Sequence, residues 1–480
     1  MTGPPTGARP SLRVWLSLFV AMLPLPAVWA LANPLFASPD EPAHMVRAQG
    51  AVRGDFQRPY TTDGLPVAAV DCLRFRPDVT ADCMDLTWGA HGLEQRSTAE
   101  TYPPLFHVVA GLPAFLLRGP PAAYAMRLWL ALVCCAALAW AAVLLWTRVP
   151  RAWSVAAVFL AATPMVVFTM ATVNPSGLAA AGAALLWAAG INVTRPTAGT
   201  MRRASAVTLL AALLLLPLFR RDGLPWVLLV VAVLGTTLDR ARFAALRRDR
   251  RAVGAAALVA VGFALTWRTW IRPVVAAFVA DSVNRGRGDW TSGITALAGH
   301  AGEVVGLFGW VDTPVTPETL ALWLGALGAV LAAAIATGSR PEARAVLLAL
   351  LAMVVVPAVI GAIRHPYFQG RYLFPMSVGA VLLAGQALAG GRLAPRRSRG
   401  LLIAVVAATA LGHFLAFAQN LRRYAVGASG PWSSLDDAAW HPPMLSNPAA
   451  LLLAAGAIAL ALVGARRACR GEPASATTIG

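Results

Sequence analysis

Apolar runs of membrane-crossing length recur along this chain from residue 12 to residue 465. No other feature limits the fold so strongly. A helix of about 20 apolar residues crosses a bilayer core, and in lipid only helices and closed barrels satisfy their own backbone. Runs near 12–32, 124–147, 152–172, 175–193, 203–219, 224–240, 252–271, 319–338, 342–363, 371–390, 400–420 and 448–465 read as spans, twelve in all. The expected fold class is an all-α polytopic membrane protein. Of 480 residues, 58% are hydrophobic and only 13% charged, about half the charged share of a soluble protein. A soluble-domain reading is excluded.

The net charge of +18 invites a nucleic-acid partner, but its distribution argues for none. All 40 basic residues are arginine, in short clusters between apolar runs. With the N-terminus in the cytoplasm, the inner segments and their flanks carry 22 Arg against four acids, and the outer segments 18 Arg against 18 acids. That is the positive-inside asymmetry of a plasma-membrane protein with both termini cytoplasmic. The segment 103–118, "PPLFHVVAGLPAFLLR", is short and contains Pro113. Counting it as a span would invert everything after it, so it is expected as a juxtamembrane or re-entrant helix. "AVWALA" also resembles a signal-peptide cleavage site, although the first run is long enough to span. Arginine without lysine, with abundant Ala, Gly and Pro, suggests a GC-rich genome such as an actinobacterium's.

One transmembrane domain over 1–480 follows. Its first extracytoplasmic loop is 33–123, with juxtamembrane helices, its second is 272–318, and its cytoplasmic tail is 466–480. A smaller outer loop covers 421–447, and 55–101 reads as irregular or short-stranded. Cys72 and Cys83 share the first loop, where an oxidising compartment favours a disulfide.

Six of the seven histidines fall on the outer side, and His413 lies in the outer half of a span. A transporter needs polar groups near the midplane; here they gather at one face. In "SPDEPAH", Asp40 reads as a helix N-cap or as a general base, and Glu41 and His44, one turn apart, can share a cleft. These three could also hold a divalent metal, a generic set, and no cofactor is required. "TYPPLFH" supplies Tyr102 and His107, and "ATVNPSG" supplies Asn174 and Ser176 or an ordinary turn. "RHPYFQGRYLFP" supplies Arg364, His365, Gln369, Arg371 and Tyr372. Arg371 can grip a phosphate bidentately or merely snorkel, and Gly370 would let backbone approach a ligand. Arg220 and Arg221 in "FRRDG" form an outward basic pair, suited to an anionic lipid or lipid phosphate.

"SPDEPAHMVRAQG", "YPPLFHVVAGLP", "PMVVFTMATVNPSGL" and "QGRYLFPM" occur in the order seen in a bacterial family of predicted membrane proteins of unknown function. That family resembles the GT-C glycosyltransferase superfamily. The resemblance covers roughly residues 12 to 420. It implies a GT-C-like fold, an acidic base in the first outer loop, a polyprenyl-phosphate sugar donor and an extracytoplasmic glycan or protein acceptor. Carried over by position, Asp40 is the base, with Glu41 second. Many related enzymes have an acid where this chain has Asn174, which can only position substrate. The expected function is inverting sugar transfer to a cell-envelope acceptor; the alternatives are a lipid-linked glycan flippase or other transporter, and a non-catalytic scaffold.

Overall fold

A computed structural model of the protein describes residues 12–268 except 57–58 and 147–150 and 196–198, then 272, 276, 290–363 and 368–470. Helices α1 (Leu12–Met22) and α2 (Pro24–Ala32) form the first span, with Pro24 opening the second piece. The loop after it carries α3 (Glu41–Val52), strands β1 (Tyr60–Thr62) and β2 (Leu93–Gln95), and α4 (Pro104–Leu116). The strands pair antiparallel, Tyr60 opposite Gln95 and Thr62 opposite Leu93. Then follow α5 (Gly119–Leu145), α6 (Arg151–Ala161), α7 (Pro164–Met170), α8 (Pro175–Thr194), α9 (Gly199–Phe219) and α10 (Gly223–Gly235). Next come α11 (Arg240–Arg248), α12 (Arg250–Thr266), α13 (Trp290–Val305), the two-residue strands β3 (Leu307–Phe308) and β4 (Thr313–Pro314), and α14 (Pro317–Thr337). The chain ends in α15 (Arg340–Ile363), α16 (Phe374–Ala389), α17 (Pro395–Ala425) and α18 (Asn447–Arg470).

Nine of the described helices are long and apolar enough to cross a membrane, and ten if the bent pair α6–α7 is one span. Two of the twelve expected spans do not appear among these helices. The run at 224–240 yields only the 13 residues of α10, about 20 Å of helix against a core of about 30 Å. The run at 252–271 opens with the 17 residues of α12, and its end at 269–271 lies outside the described residues. The α6–α7 bend of 69° falls at Pro164, where the ring cannot continue the hydrogen-bond ladder. Thr163 replaces a lost bond by capping Val166 N–H, and its hydroxyl donates to the Val304 carbonyl.

Segment 103–118 is α4, too short to cross a bilayer at 13 residues. It lies along α3, and Gly111 makes that contact possible: a Cβ there would stand 2.2 Å from the Ala48 carbonyl oxygen. The innermost helices are α8 and α16, buried along nearly their whole length. Trp187 of α8 donates to the Pro375 carbonyl at 2.7 Å and locks the two together.

One ion pair fixes the start of α3. Arg127, in the apolar α5, and Glu41 are both wholly buried. Arg127 Nε and Nη2 reach Glu41 Oε1 and Oε2 at 2.8 and 2.5 Å. Its remaining N–H groups donate to the carbonyls of Ala30, Asn33 and Pro34. Glu41 Oε1 also accepts from Val173 N–H at 2.9 Å. Two charges out of water are tolerable only when fully matched like this. The far end of the loop is clamped by Arg423 of α17, which donates to the carbonyls of Leu73, Arg76 and Val79 and pairs with Asp312 at 3.3 Å. Cys72 and Cys83, on either side of that stretch, are bonded, their Cα atoms 6.2 Å apart.

Glu41→Gln removes half of a buried pair and is expected to cost about 3–5 kcal/mol. The variant should melt well below wild type in detergent, and Glu41→Gln with Arg127→Met should recover part of the loss. An unchanged melting point with lost activity would make Glu41 a chemical group instead. Cys72 and Cys83 are expected to resist alkylation until reductant is added, and Cys72→Ser to cost about 2–4 kcal/mol. Full labelling of non-reduced membranes at both positions would refute the bridge.

Candidate functional site

Pro42 in the first turn of α3 starts the helix and leaves Asp40 at the N-cap position. A capping residue sits in the extended region with its oxygen on the helix amides. Asp40 does neither: its φ is 63°, left-handed, and its side chain makes no cap bond. Such a φ costs a typical L-residue about 1–2 kcal/mol, and Asp and Asn tolerate it better than most. The turned backbone aims the carboxylate away from the helix, where Oδ2 accepts from Arg371 Nη2 at 2.8 Å. The Asp40 side chain is 48% exposed and that of Arg371 only 4%. The N-cap reading of Asp40 is corrected by this geometry.

Arg371 is held by a 3-10 turn, Gly370–Leu373, at the head of α16. Gly370 lies against α13, where a Cβ would meet Glu303 Cβ at 2.5 Å and the His300 carbonyl oxygen at 2.6 Å. Its close approach is to protein rather than to a ligand. The Gly370 N–H donates to Glu303, which also bonds His300 Nδ1 at 3.3 Å. So placed, Arg371 keeps Nε and Nη1 buried without a hydrogen-bond partner among the described residues, as does Gln369 Oε1. Buried, unmatched donors on a cation are rare and suit an anion.

A chain of ring contacts links this pair to the other candidates. Arg371 lies 5.6 Å from the Tyr372 ring centre and Arg220 5.1 Å from the same ring. Arg221 lies 5.0 Å over Tyr102, and Tyr102 meets the His44 ring edge-on at 5.0 Å. His44 Nδ1 stands 3.1 Å from His107 Nε2, both rings buried. Burial pushes His44 down to about 3; Arg371, Arg220 and Arg47 lower it further and Asp40 opposes them. Burial and His44 likewise hold His107 well below the usual histidine range. At neutral pH the two imidazoles are an uncharged pair sharing one proton along N···N. Which nitrogen carries it is set by tautomer.

Several expectations change here. Glu41 cannot serve as second base, because Arg127 and Val173 N–H occupy both its oxygens. For the same reason Asp40, Glu41 and His44 do not assemble as metal ligands. Among the described residues no three His, Cys, Asp or Glu side chains converge as a metal site. Asn174 does not face a ligand: its Oδ1 caps Ser176 N–H at 2.9 Å and its Nδ2 donates to the Pro39 carbonyl at 3.0 Å. It steadies the backbone next to Asp40. The basic pair divides. Arg220 is matched by Asp222, at 2.6 and 2.9 Å, and donates to Ser176 Oγ at 2.6 Å. Arg221 remains exposed, with a 3.4 Å contact to Thr101. Arg364 and His365 lie outside the described residues.

Arg127, Asp222 and Glu303 support the site without having been singled out. A lone arginine inside an apolar run was the signal for Arg127, since such a charge in lipid needs a partner. Asp222 and Glu303 look like ordinary loop and helix acids in sequence. Together the groups make a half-open carboxylate beside a buried guanidinium with donors to spare, under Tyr102 and Tyr372. That arrangement can take a proton from one group and hold an anionic oxygen of another.

No curated protein matches the chain by sequence. Among solved structures it is similar to ArnT from Cupriavidus metallidurans bound to undecaprenyl phosphate, with a TM-score of 0.52 and 17% identity over 96% of this chain and 77% of that one. The apo state of the same protein gives a TM-score of 0.50 and 17% identity over 95% and 78%. At this identity the likeness shows the fold alone, an all-α polytopic membrane architecture shared with that protein. The family model described as "Predicted membrane protein (DUF2142)" matches residues 23–380, so the chain belongs to the DUF2142 family of predicted membrane proteins.

Proposed function

We propose that the protein is an integral-membrane glycosyltransferase that moves a sugar from a polyprenyl-phosphate donor to an acceptor on the extracytoplasmic side. The observation that carries this is the Asp40–Arg371 pair: a carboxylate opened toward solvent and a buried guanidinium whose Nε and Nη1 have no partner among the described residues. The undecaprenyl phosphate in the similarly folded ArnT structure supports a lipid phosphate as the anion. In this reading the loop face looks outward, both termini lie in the cytoplasm, and the acceptor is a cell-envelope glycan or protein.

The step is a displacement at the anomeric carbon. Asp40 takes the proton of an acceptor hydroxyl as that oxygen bonds to the carbon. The bond from the carbon to the phosphate oxygen breaks on the opposite face, inverting the centre. Its electron pair leaves with the polyprenyl phosphate. Arg371 Nε and Nη1 donate to that oxyanion, whose charge grows as the bond breaks, and Arg221 adds an exposed positive charge nearby. Because Arg371 keeps Nη2 on Asp40, one side chain sets the distance between base and leaving group. The neutral His44–His107 pair adds no competing cation beneath Tyr102. The protein needs no metal for this step, since both charges are met by side chains.

Asp40→Asn preserves shape and the tolerated left-handed backbone but cannot accept the proton. It is expected to fold and to bind undecaprenyl phosphate, yet to lose at least about a hundredfold in transfer. The check is labelled sugar transfer in membrane vesicles; wild-type turnover would remove Asp40 from the chemistry. Movement of an unchanged labelled lipid across the vesicle would favour the flippase alternative. Arg371→Lys keeps one positive charge but cannot span Asp40 and an anion together. Donor affinity should fall sharply with normal membrane insertion. A Lys variant with full affinity would reduce Arg371 to an anchor for Asp40.

A further inference from the structure

A cavity of about 570 Å3 lies in the half of the bundle away from Asp40. Its walls come from α1, α2, α5, α6, α7, α17 and α18, and they are almost wholly apolar. Along α17 it runs from Leu402 to His413, about 16 Å of helix, or roughly half the hydrocarbon core. Its mouth is marked by Ala152, Arg466 and Cys469, the ends that the arginine distribution assigns to the cytoplasmic side.

A packed aromatic cluster stands between the cavity and the site above it. Trp29, Phe168, Phe308 and Phe417 are fully buried and pack ring to ring, centres 5.1–5.8 Å apart, against its inner end. Trp29 follows the lining Pro26 by three residues, Phe168 follows the lining Val167, and Phe417 lies one turn beyond the lining His413. Beyond this aromatic floor stands the Arg127–Glu41 pair. A chain entering the cavity from the membrane avoids this cluster. The route is lateral: the lining residues Ile403 and Leu462 are 59% and 38% exposed on the outside of the bundle.

We infer that this cavity is a second lipid site, distinct from the donor site, holding one acyl chain of an anionic phospholipid drawn from the leaflet at the Arg466 end. Unfilled apolar volume forfeits dispersion contacts, and the surrounding membrane offers acyl chains to restore them. Charge selects the headgroup. Arg466 is the charged residue among those lining the cavity, Arg467 adjoins it, and both are exposed without an ion-pair partner among the described residues. Clustered arginines at a cytoplasmic helix end attract anionic headgroups. The volume lies within the roughly 300–1,000 Å3 of preformed ligand pockets. The occupant ties α18 to the α6–α7 bend, which the chain itself leaves unfilled.

Native mass spectrometry of the delipidated full-length protein tests this, with phosphatidylglycerol, phosphatidylcholine and undecaprenyl phosphate as probes. One phosphatidylglycerol is expected to bind about tenfold more tightly than phosphatidylcholine. Ala461→Phe, which fills the cavity, should weaken that adduct by at least about tenfold. Arg466→Glu with Arg467→Glu, two exposed changes that spare the packing, should abolish the headgroup preference. Neither should change the undecaprenyl phosphate adduct. Phosphatidylglycerol binding that is unchanged in both variants overturns the site. So does undecaprenyl phosphate that expels phosphatidylglycerol one for one, since the cavity would then hold the donor's own tail.

Discussion

The buried Glu41–Arg127 pair is the constraint on which the rest of the site depends. It joins the end of the first span, the start of α3, the first third of α5 and the loop before α8 at one buried point. A salt bridge in such a place contributes little net stability, because desolvation offsets attraction, but removing either partner leaves a bare charge in an apolar bundle. The pair therefore enforces position more than it adds stability. By anchoring residue 41 it decides where residue 40 must be.

Two adjacent acids thus have opposite surroundings. Glu41 is sealed and fully bonded, and Asp40 stands half exposed with a single hydrogen-bonded cation. The left-handed turn at Asp40 produces this divergence, since an extended residue there would point its oxygen at the α3 amides. Asn174 fixes the carbonyl just before the turn, and the Gly370 contact with α13 fixes the partner across from it. Strain at one residue is maintained by ordinary packing at its neighbours.

Local pattern was enough to recover much of this. Apolar length located the nine described helices long enough to cross a membrane, ten with the bent α6–α7 pair, and Pro113 with a short run identified α4. The cluster of Asp40, His44, Tyr102, His107, Arg220, Arg221, Arg371 and Tyr372 was legible because its members lie at span ends on one side. What local pattern could not separate was Asp40 from Glu41, a difference set by an arginine 86 residues away. Arg220 and Arg221 look alike in sequence and part only because Asp222 folds back on one of them. Gly370 announced a close approach, but whether the visitor was ligand or helix depended on α13, a distant segment. The run at 224–240 gives only a short helix, because apolar composition says nothing of where a helix stops.

The clamp on the first loop carries a consequence for how the molecule comes into being. Arg423 donates to Val79, 344 residues earlier, Asn420 to Asn33 and Tyr424 to Ala37. The first loop leaves the ribosome long before those residues exist. At about 5–20 residues per second, roughly 20–70 s separate its emergence from the arrival of α17. Through that interval the nascent loop lacks the donors that hold its carbonyls. The earliest part of the site is completed almost last, so a chain released before residue 424 would carry every candidate reacting group and still present no finished site.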